Sequence, residues 1–161
     1  MSLLEFFKPI IANTRYRAGT ITVLFVSAIL VSGCSENSSA QTITVYKSPT
    51  CGCCKKWIAH MEDNGFNVRA HDTQDVRSIK QQNGVSDRLA SCHTALVDGY
   101  VIEGHVPADA VKKLLKEKPV AAGLAVPGMP MGSPGMEGPH KDPYDVVLFN
   151  RSGDTAVYER R

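Results

Sequence analysis

Apolar and β-favouring residues alternate from Thr42 to Tyr46, with Ile43 and Val45 on one face, and predict a first strand. Ser48-Pro49-Thr50 breaks it. From Cys54 the period changes: Cys54, Ile58 and Met61, with Trp57 beside them, recur at helical spacing until Gly65 stops the helix. Asn67 to His71, with Val68 and Ala70 on one face, predicts a second strand. Asp72 or Thr73 can cap a second helix, whose buried face holds Val76 and Ile79 and which Asn83-Gly84 closes. Thr94 to Val97 and Tyr100 to Ile102 flank Asp98-Gly99, a two-residue turn that type I′ hairpins prefer because both positions take positive φ. Pro107 suits the first turn of a third helix with a buried stripe of Val111, Leu114 and Leu115, and Pro119 ends it.

The order strand, helix, strand, helix, hairpin, helix resembles the thioredoxin-like fold, a βαβ unit followed by an antiparallel hairpin and a helix. The fold class expected is therefore α/β, a central mixed sheet flanked by helices. Residues 120–143 break the pattern, because Gly128 to Met136 is dense in glycine, proline and methionine. No regular element is predicted there, and so long a loop in a compact domain points to function or disorder. Tyr144 to Phe149 and Thr155 to Tyr158, around Arg151-Ser152-Gly153-Asp154, predict a C-terminal extension hairpin. There is no internal repeat.

Before Thr42 the pattern is of another kind. Lys8, Arg15 and Arg17 precede an almost unbroken apolar run from Ile21 to Val31, which ends in Ser32-Gly33-Cys34. A cationic stretch, a short apolar stretch and small residues describe an export signal, and the run is shorter than the about 20 residues of a membrane span. Residues 1–33 are read as a removed signal. Val31-Ser32-Gly33-Cys34 resembles the lipobox of bacterial lipoproteins, which implies lipidation of Cys34 and anchoring to a membrane; Ser35 after it implies the outer membrane in preference to the inner, facing the periplasm. The alternative is plain secretion or a retained anchor, with Cys34 incidental. Residues 34–41 form a polar tether, and 42–161 a single domain that includes loop 120–143.

The chain carries 18 basic and 16 acidic residues; removing Lys8, Arg15, Arg17 and Glu5 with the signal leaves 15 of each. The mature domain is near neutral, without the basic stripe that nucleic acid would require.

Candidate chemistry concentrates in Thr50-Cys51-Gly52-Cys53-Cys54, where the first strand hands over to the first helix. Thiolate is both nucleophile and soft metal ligand, and a helix N-terminus favours it. The Cys51/Cys54 spacing serves disulfide exchange or metal capture equally, and in an exported protein a static local disulfide is a third possibility. Cys53 complicates clean dithiol exchange but adds a soft donor. Cys92-His93 precedes the hairpin strand; in a thioredoxin-like fold that loop faces the helix-start cysteines and normally carries a cis-proline, which Ser91-Cys92-His93-Thr94 lacks. Thiolate and thioether select Cu(I), whereas a closed Cys₃His set suits zinc. Met129, Met131 and Met136, held by a Gly/Pro-rich segment, favour copper unless they merely anchor the loop on the core. His140 ends the same loop and is a further candidate donor; His60, His71 and His105 read as surface or structural.

Thr50-Cys51-Gly52-Cys53-Cys54 with Trp57, Ser91-Cys92-His93-Thr94, Gly104-His105-Val106-Pro107, Gly123 to Pro130 and Gly132-Ser133-Pro134-Gly135-Met136 together resemble the bacterial family known as domain of unknown function 411. The resemblance runs from Thr42 to Tyr158. It implies a metal-binding, thioredoxin-like protein associated with copper handling and with no established catalytic activity, and a copper role for Cys51, Cys53, Cys54 and Cys92. The function expected is an exported Cu(I) chaperone or sequestering protein, with zinc as a lesser occupant and another periplasmic copper-handling protein as a possible partner. His93 or a methionine would complete the site. The alternative is a periplasmic thiol-disulfide oxidoreductase with Cys51 attacking and Cys54 resolving.

Overall fold

The computed structural model describes residues 40–161. The expected export signal, Cys34 and most of the expected tether lie outside the described residues. The alternation at the start of the domain becomes β1 (Thr42–Lys47), with Ile43, Val45 and Lys47 buried on one face. α1 (Gly52–Asp63) buries Cys54, Trp57 and Met61. β2 (Asn67–Asp72) pairs with β1 in parallel, and α2 (Val76–Gln82) and a 3₁₀ turn (Asp87–Leu89) lead to β3 (Thr94–Val97). The hairpin forms as read: β4 (Tyr100–Glu103) returns along β3 around Asp98 (φ 47°) and Gly99 (φ 81°). α3 (Ala108–Glu117) follows Pro107 and ends at Lys118, in the left-handed region, before Pro119.

The sheet order β2-β1-β3-β4, with β3 antiparallel to both neighbours, is the thioredoxin-like core. The sheet then continues where no element was expected. β5 (Gly123–Ala125), inside the glycine-rich segment, runs parallel to β4 with all three residues buried. It forms because Gly123 has no Cβ: one there would lie 1.8 Å from the Val101 carbonyl oxygen. β6 (Asp145–Phe149) pairs with β5 and β7 (Thr155–Arg160) with β6, so the C-terminal hairpin is the outer part of one seven-stranded mixed sheet.

α1 begins at Gly52, with Cys51 as its cap, so the three thiols stand at the helix start, as expected. Three local readings are corrected. Asp75 caps α2 by accepting from the Ser78 N–H at 3.0 Å, because Asp72 ends β2 in an ion pair with Lys47 and Thr73 accepts from the Asp75 N–H. Val76 and Ile79 are half-buried, and Ala70 on edge strand β2 is exposed.

The main core gathers Ile43, Val45, Trp57, Ile102, Leu114 and Leu124; a second cluster, with Leu89, Val101 and Phe149, is separate from it. Each such fully buried large side chain contributes about 1.5–3 kcal/mol. Among the described residues no helix is long and apolar enough to cross a membrane.

Candidate metal centre

Ser48-Pro49-Thr50 turns the chain from β1 into α1, and the Cys51 N–H donates to the Ser48 carbonyl at 3.1 Å. Cys51 then takes the place of a serine or aspartate cap: its Sγ accepts the Cys54 N–H at 3.2 Å. The sulfurs thus stand over the unpaired N–H groups of α1. Cys51 and Cys54 are joined in a disulfide with a Cα–Cα distance of 5.4 Å, while Cys53 and Cys92 are free and half-buried.

Cys92 arrives from the far side of the cleft. Cys53 Sγ lies 3.5 Å from Cys51 Sγ and 3.3 Å from Cys92 Sγ, and the sulfurs of Cys51, Cys53, Cys54 and Cys92 all lie within 4.8 Å of one another. Met129 Sδ sits 2.7 Å from Cys92 Sγ at the exposed rim. Partial burial, together with the hydrogen bond and charge of Cys53, pushes the Cys92 thiol up to about 12.

The loop carrying Cys92 is held by groups that the reading of the sequence did not single out. Glu103 on β4 is fully buried; its Oε1 accepts from Lys80 Nζ at 2.5 Å and from the Ser91 N–H at 2.6 Å, and its Oε2 accepts from Thr94 Oγ1 at 2.7 Å. Burial pushes this carboxyl up, and the Lys80 charge and the three donors pull against it. A legible signal existed: the Asp98-Gly99 turn sets the register that puts Glu103 opposite Thr94. Ser91 also bridges to Gly128, its hydroxyl donating to the Gly128 carbonyl, and so ties the loop to the segment bearing Met129. Gly104, at φ 72°, lets this happen, since a Cβ there would lie 2.4 Å from Ser91 Oγ.

His93 is fully buried, its ring 4.4 Å from the Trp57 ring and 5.1 Å from the His105 ring, and neither ring nitrogen has a hydrogen-bond partner among the described residues. Burial, then the neighbouring His105, Lys80 and Lys47, holds it well below its ordinary value. His105 is also buried, with Nδ1 2.8 Å from the Pro134 carbonyl, which fixes the returning loop over α1; its structural reading stands. His60 accepts from the Ala108 N–H, and His71 stacks on Tyr46. Of the three loop methionines, Met129 touches a thiol. Met131 lays its methyl over Gly138, and Met136 closes the turn from Ser133. His140 is exposed, 3.9 Å from Asp142.

The donor set fits a soft metal ion. Sulfurs sharing one ion at metal–sulfur bonds of about 2.3 Å sit roughly 3.8 to 4.6 Å apart; the Cys51–Cys53 and Cys53–Cys92 contacts of 3.5 and 3.3 Å are a little shorter than this, and the bonded Cys51 and Cys54 sulfurs must separate to reach it. Two-electron reduction of Cys51–Cys54 is required before all four sulfurs can act as thiolates.

A thioredoxin-like mixed sheet with three cysteines at the start of its first helix and a fourth, Cys92, brought against them by the loop before β3 defines a thiol-cluster protein. The chain belongs to the family described as "Protein of unknown function, DUF411", whose model matches residues 89–136. Two solved structures, described as "Copper resistance protein copG", forms 2 and 1, are each 46% identical to it; they cover 76% of this chain and 99% and 98% of their own, with TM-scores of 0.73 and 0.72. A comparison with curated proteins gives no match.

Proposed function

We propose that the protein binds Cu(I) and serves copper sequestration or delivery in the export compartment. One observation carries this reading: five sulfurs converge, those of Cys51, Cys53, Cys54 and Cys92 within 4.8 Å and Met129 Sδ against Cys92. Thiolate with thioether is the donor chemistry that selects Cu(I) over zinc. The likeness to solved structures described as copper resistance proteins supports the same choice. His93, directly behind Cys92, is a further donor with both ring nitrogens unpaired among the described residues. The reading includes export by residues 1–33, lipidation of Cys34 and attachment to the periplasmic face of the outer membrane, with another copper-handling protein as donor or acceptor. Titration of the reduced protein with Cu(I) against a competing chelator tests it. Nanomolar or tighter affinity, weakened in Cys53→Ser and Cys92→Ser, is expected; weaker affinity, or affinity indifferent to both substitutions, overturns it.

The Cys51–Cys54 disulfide at a helix N-terminus favours a second reading, thiol-disulfide exchange with Cys51 as the attacking sulfur. Reduction of a mixed-disulfide substrate faster than by free dithiol, abolished in Cys51→Ser, is its signature.

A further inference from the structure

The four sulfurs form a line of contacts as well as a cluster. The disulfide joins Cys54 to Cys51; Cys53 Sγ lies 3.5 Å from Cys51 Sγ; and Cys92 Sγ lies 3.3 Å from Cys53 Sγ. Both free thiols are therefore within reach of an exchange partner, and each exchange leaves another thiol beside the new disulfide. We propose that the disulfide migrates along this line, from Cys51–Cys54 to Cys53–Cys92, within one chain and without any external oxidant or reductant.

The migration takes two thiol-disulfide exchanges. In the first, Cys53 attacks Cys51 Sγ; the Cys51–Cys53 bond forms, the Cys51–Cys54 bond breaks, and Cys54 leaves with the bonding pair and takes up the proton that Cys53 gave up. In the second, Cys92 attacks Cys53 Sγ; the Cys53–Cys92 bond forms, the Cys51–Cys53 bond breaks, and Cys51 leaves as thiolate and takes the proton from Cys92. One disulfide and two thiols are present before and after, so electrons and protons balance.

Cys53 is the carrier, because its sulfur has the close contacts to both sides, 3.5 Å to Cys51 Sγ of the disulfide and 3.3 Å to Cys92 Sγ. The half-exposed Cys51 receives the attack and the fully buried Cys54 leaves. The product differs from the starting state in two ways. It staples the first turn of α1 to the loop before β3, residues 39 apart in sequence. It also frees Cys51 and Cys54 as a dithiol over the helix N-terminus, where the dipole favours thiolate. Cys53 thus acquires a function that neither a metal-ligand role nor a two-cysteine exchange site requires of it.

The test uses the full chain with Cys34→Ser, so that the four clustered cysteines are the only ones, kept metal-free with chelator and under anaerobic conditions. Protein with two free thiols is incubated at mildly alkaline pH without small thiols, quenched with acid, alkylated and digested. The expected result is a peptide pair linked through Cys53 and Cys92 beside the Cys51–Cys54 peptide. In Cys92→Ser the disulfide should stay within residues 51–54, and in Cys53→Ser only Cys51–Cys54 should be found. A wild-type digest holding Cys51–Cys54 alone at all times overturns the proposal, as does a Cys92-linked peptide formed equally well in Cys53→Ser. The wild-type arm decides even if a variant fails to fold. Because no metal is present, either negative leaves the copper reading to its own titration.

Discussion

Glu103 Oε1 accepts the Ser91 N–H at 2.6 Å, and through that bond a carboxylate buried in β4 sets the position of Cys92, one residue along. The same oxygen holds Lys80 Nζ at 2.5 Å, so the loop, the strand and α2 are tied at one point. Removing one member of a buried pair strands the other charge, a loss of about 3–5 kcal/mol. Glu103→Ala should therefore lower the unfolding free energy, measured by chemical denaturation, by about that amount. Glu103→Leu combined with Lys80→Met should recover most of it. An additive double variant would mean that the two residues do not act as a pair.

Gly123→Ala should be among the most damaging single-methyl changes in the domain. The new Cβ would sit 1.8 Å from the Val101 carbonyl oxygen, forcing β5 away from β4 and with it β6 and β7. The expected loss meets or exceeds the roughly 1–3 kcal/mol of ordinary overpacking. Gly52→Ala, where a Cβ meets nothing within 4 Å, should lie between no change and a gain of about 0.5–1 kcal/mol. Thermal melts of the two variants side by side check the contrast.

Stability should fall on acidification through the histidine range, in part through His60. Burial lowers its pKa below 6.5, against the opposing charges of Asp109, Glu137 and Asp63, and its Nε2 must be unprotonated to accept the Ala108 N–H at 3.1 Å. The unfolded chain takes up this proton before the folded one, so the contribution is fully present above the unfolded value of 6.5 and is lost as pH falls from there to the lowered folded value. His60→Gln should flatten the slope of unfolding free energy against pH over that interval; an unchanged slope would remove His60 from the account.

Met129→Leu should weaken Cu(I) binding about tenfold, or about 1.4 kcal/mol, in a chelator competition. Its thioether touches Cys92, whereas Met131 lies over Gly138, so Met131→Leu should change affinity far less. Equal effects from both substitutions would argue for a loop that closes over the metal with several thioethers.

Local pattern carried far into the structure. The alternation of Ile43 and Val45, the helical recurrence through Trp57 and Met61, and the Asp98-Gly99 turn each became the element they predict, since each depends on neighbours close in sequence. The identity of the soft donors was equally legible. Cys51, Cys53 and Cys54 share one helical turn, and the likeness of the element order to the thioredoxin-like fold put Cys92 opposite them. β5 was not legible, because the glycine that weakens a strand by propensity is required there by the closeness of the Val101 backbone, a contact across 22 positions. Nor was the burial of His93 between Trp57 and His105, since a histidine before a strand carries no sign of what packs on it.

The sequence by itself determined which atoms are available: four clustered thiols, a thioether-bearing loop and a helix start to hold them. Only the tertiary structure decided how they relate. It paired Cys51 with Cys54, set Cys53 between that bond and Cys92, and chose Met129 from three methionines as the one that meets a thiol. Those choices rest on distances of a few ångströms between groups up to 39 residues apart, fixed by the buried Glu103 network and the Ser91–Gly128 bridge. Spacing along the chain constrains residues within a turn of one another, whereas packing sets contacts between segments.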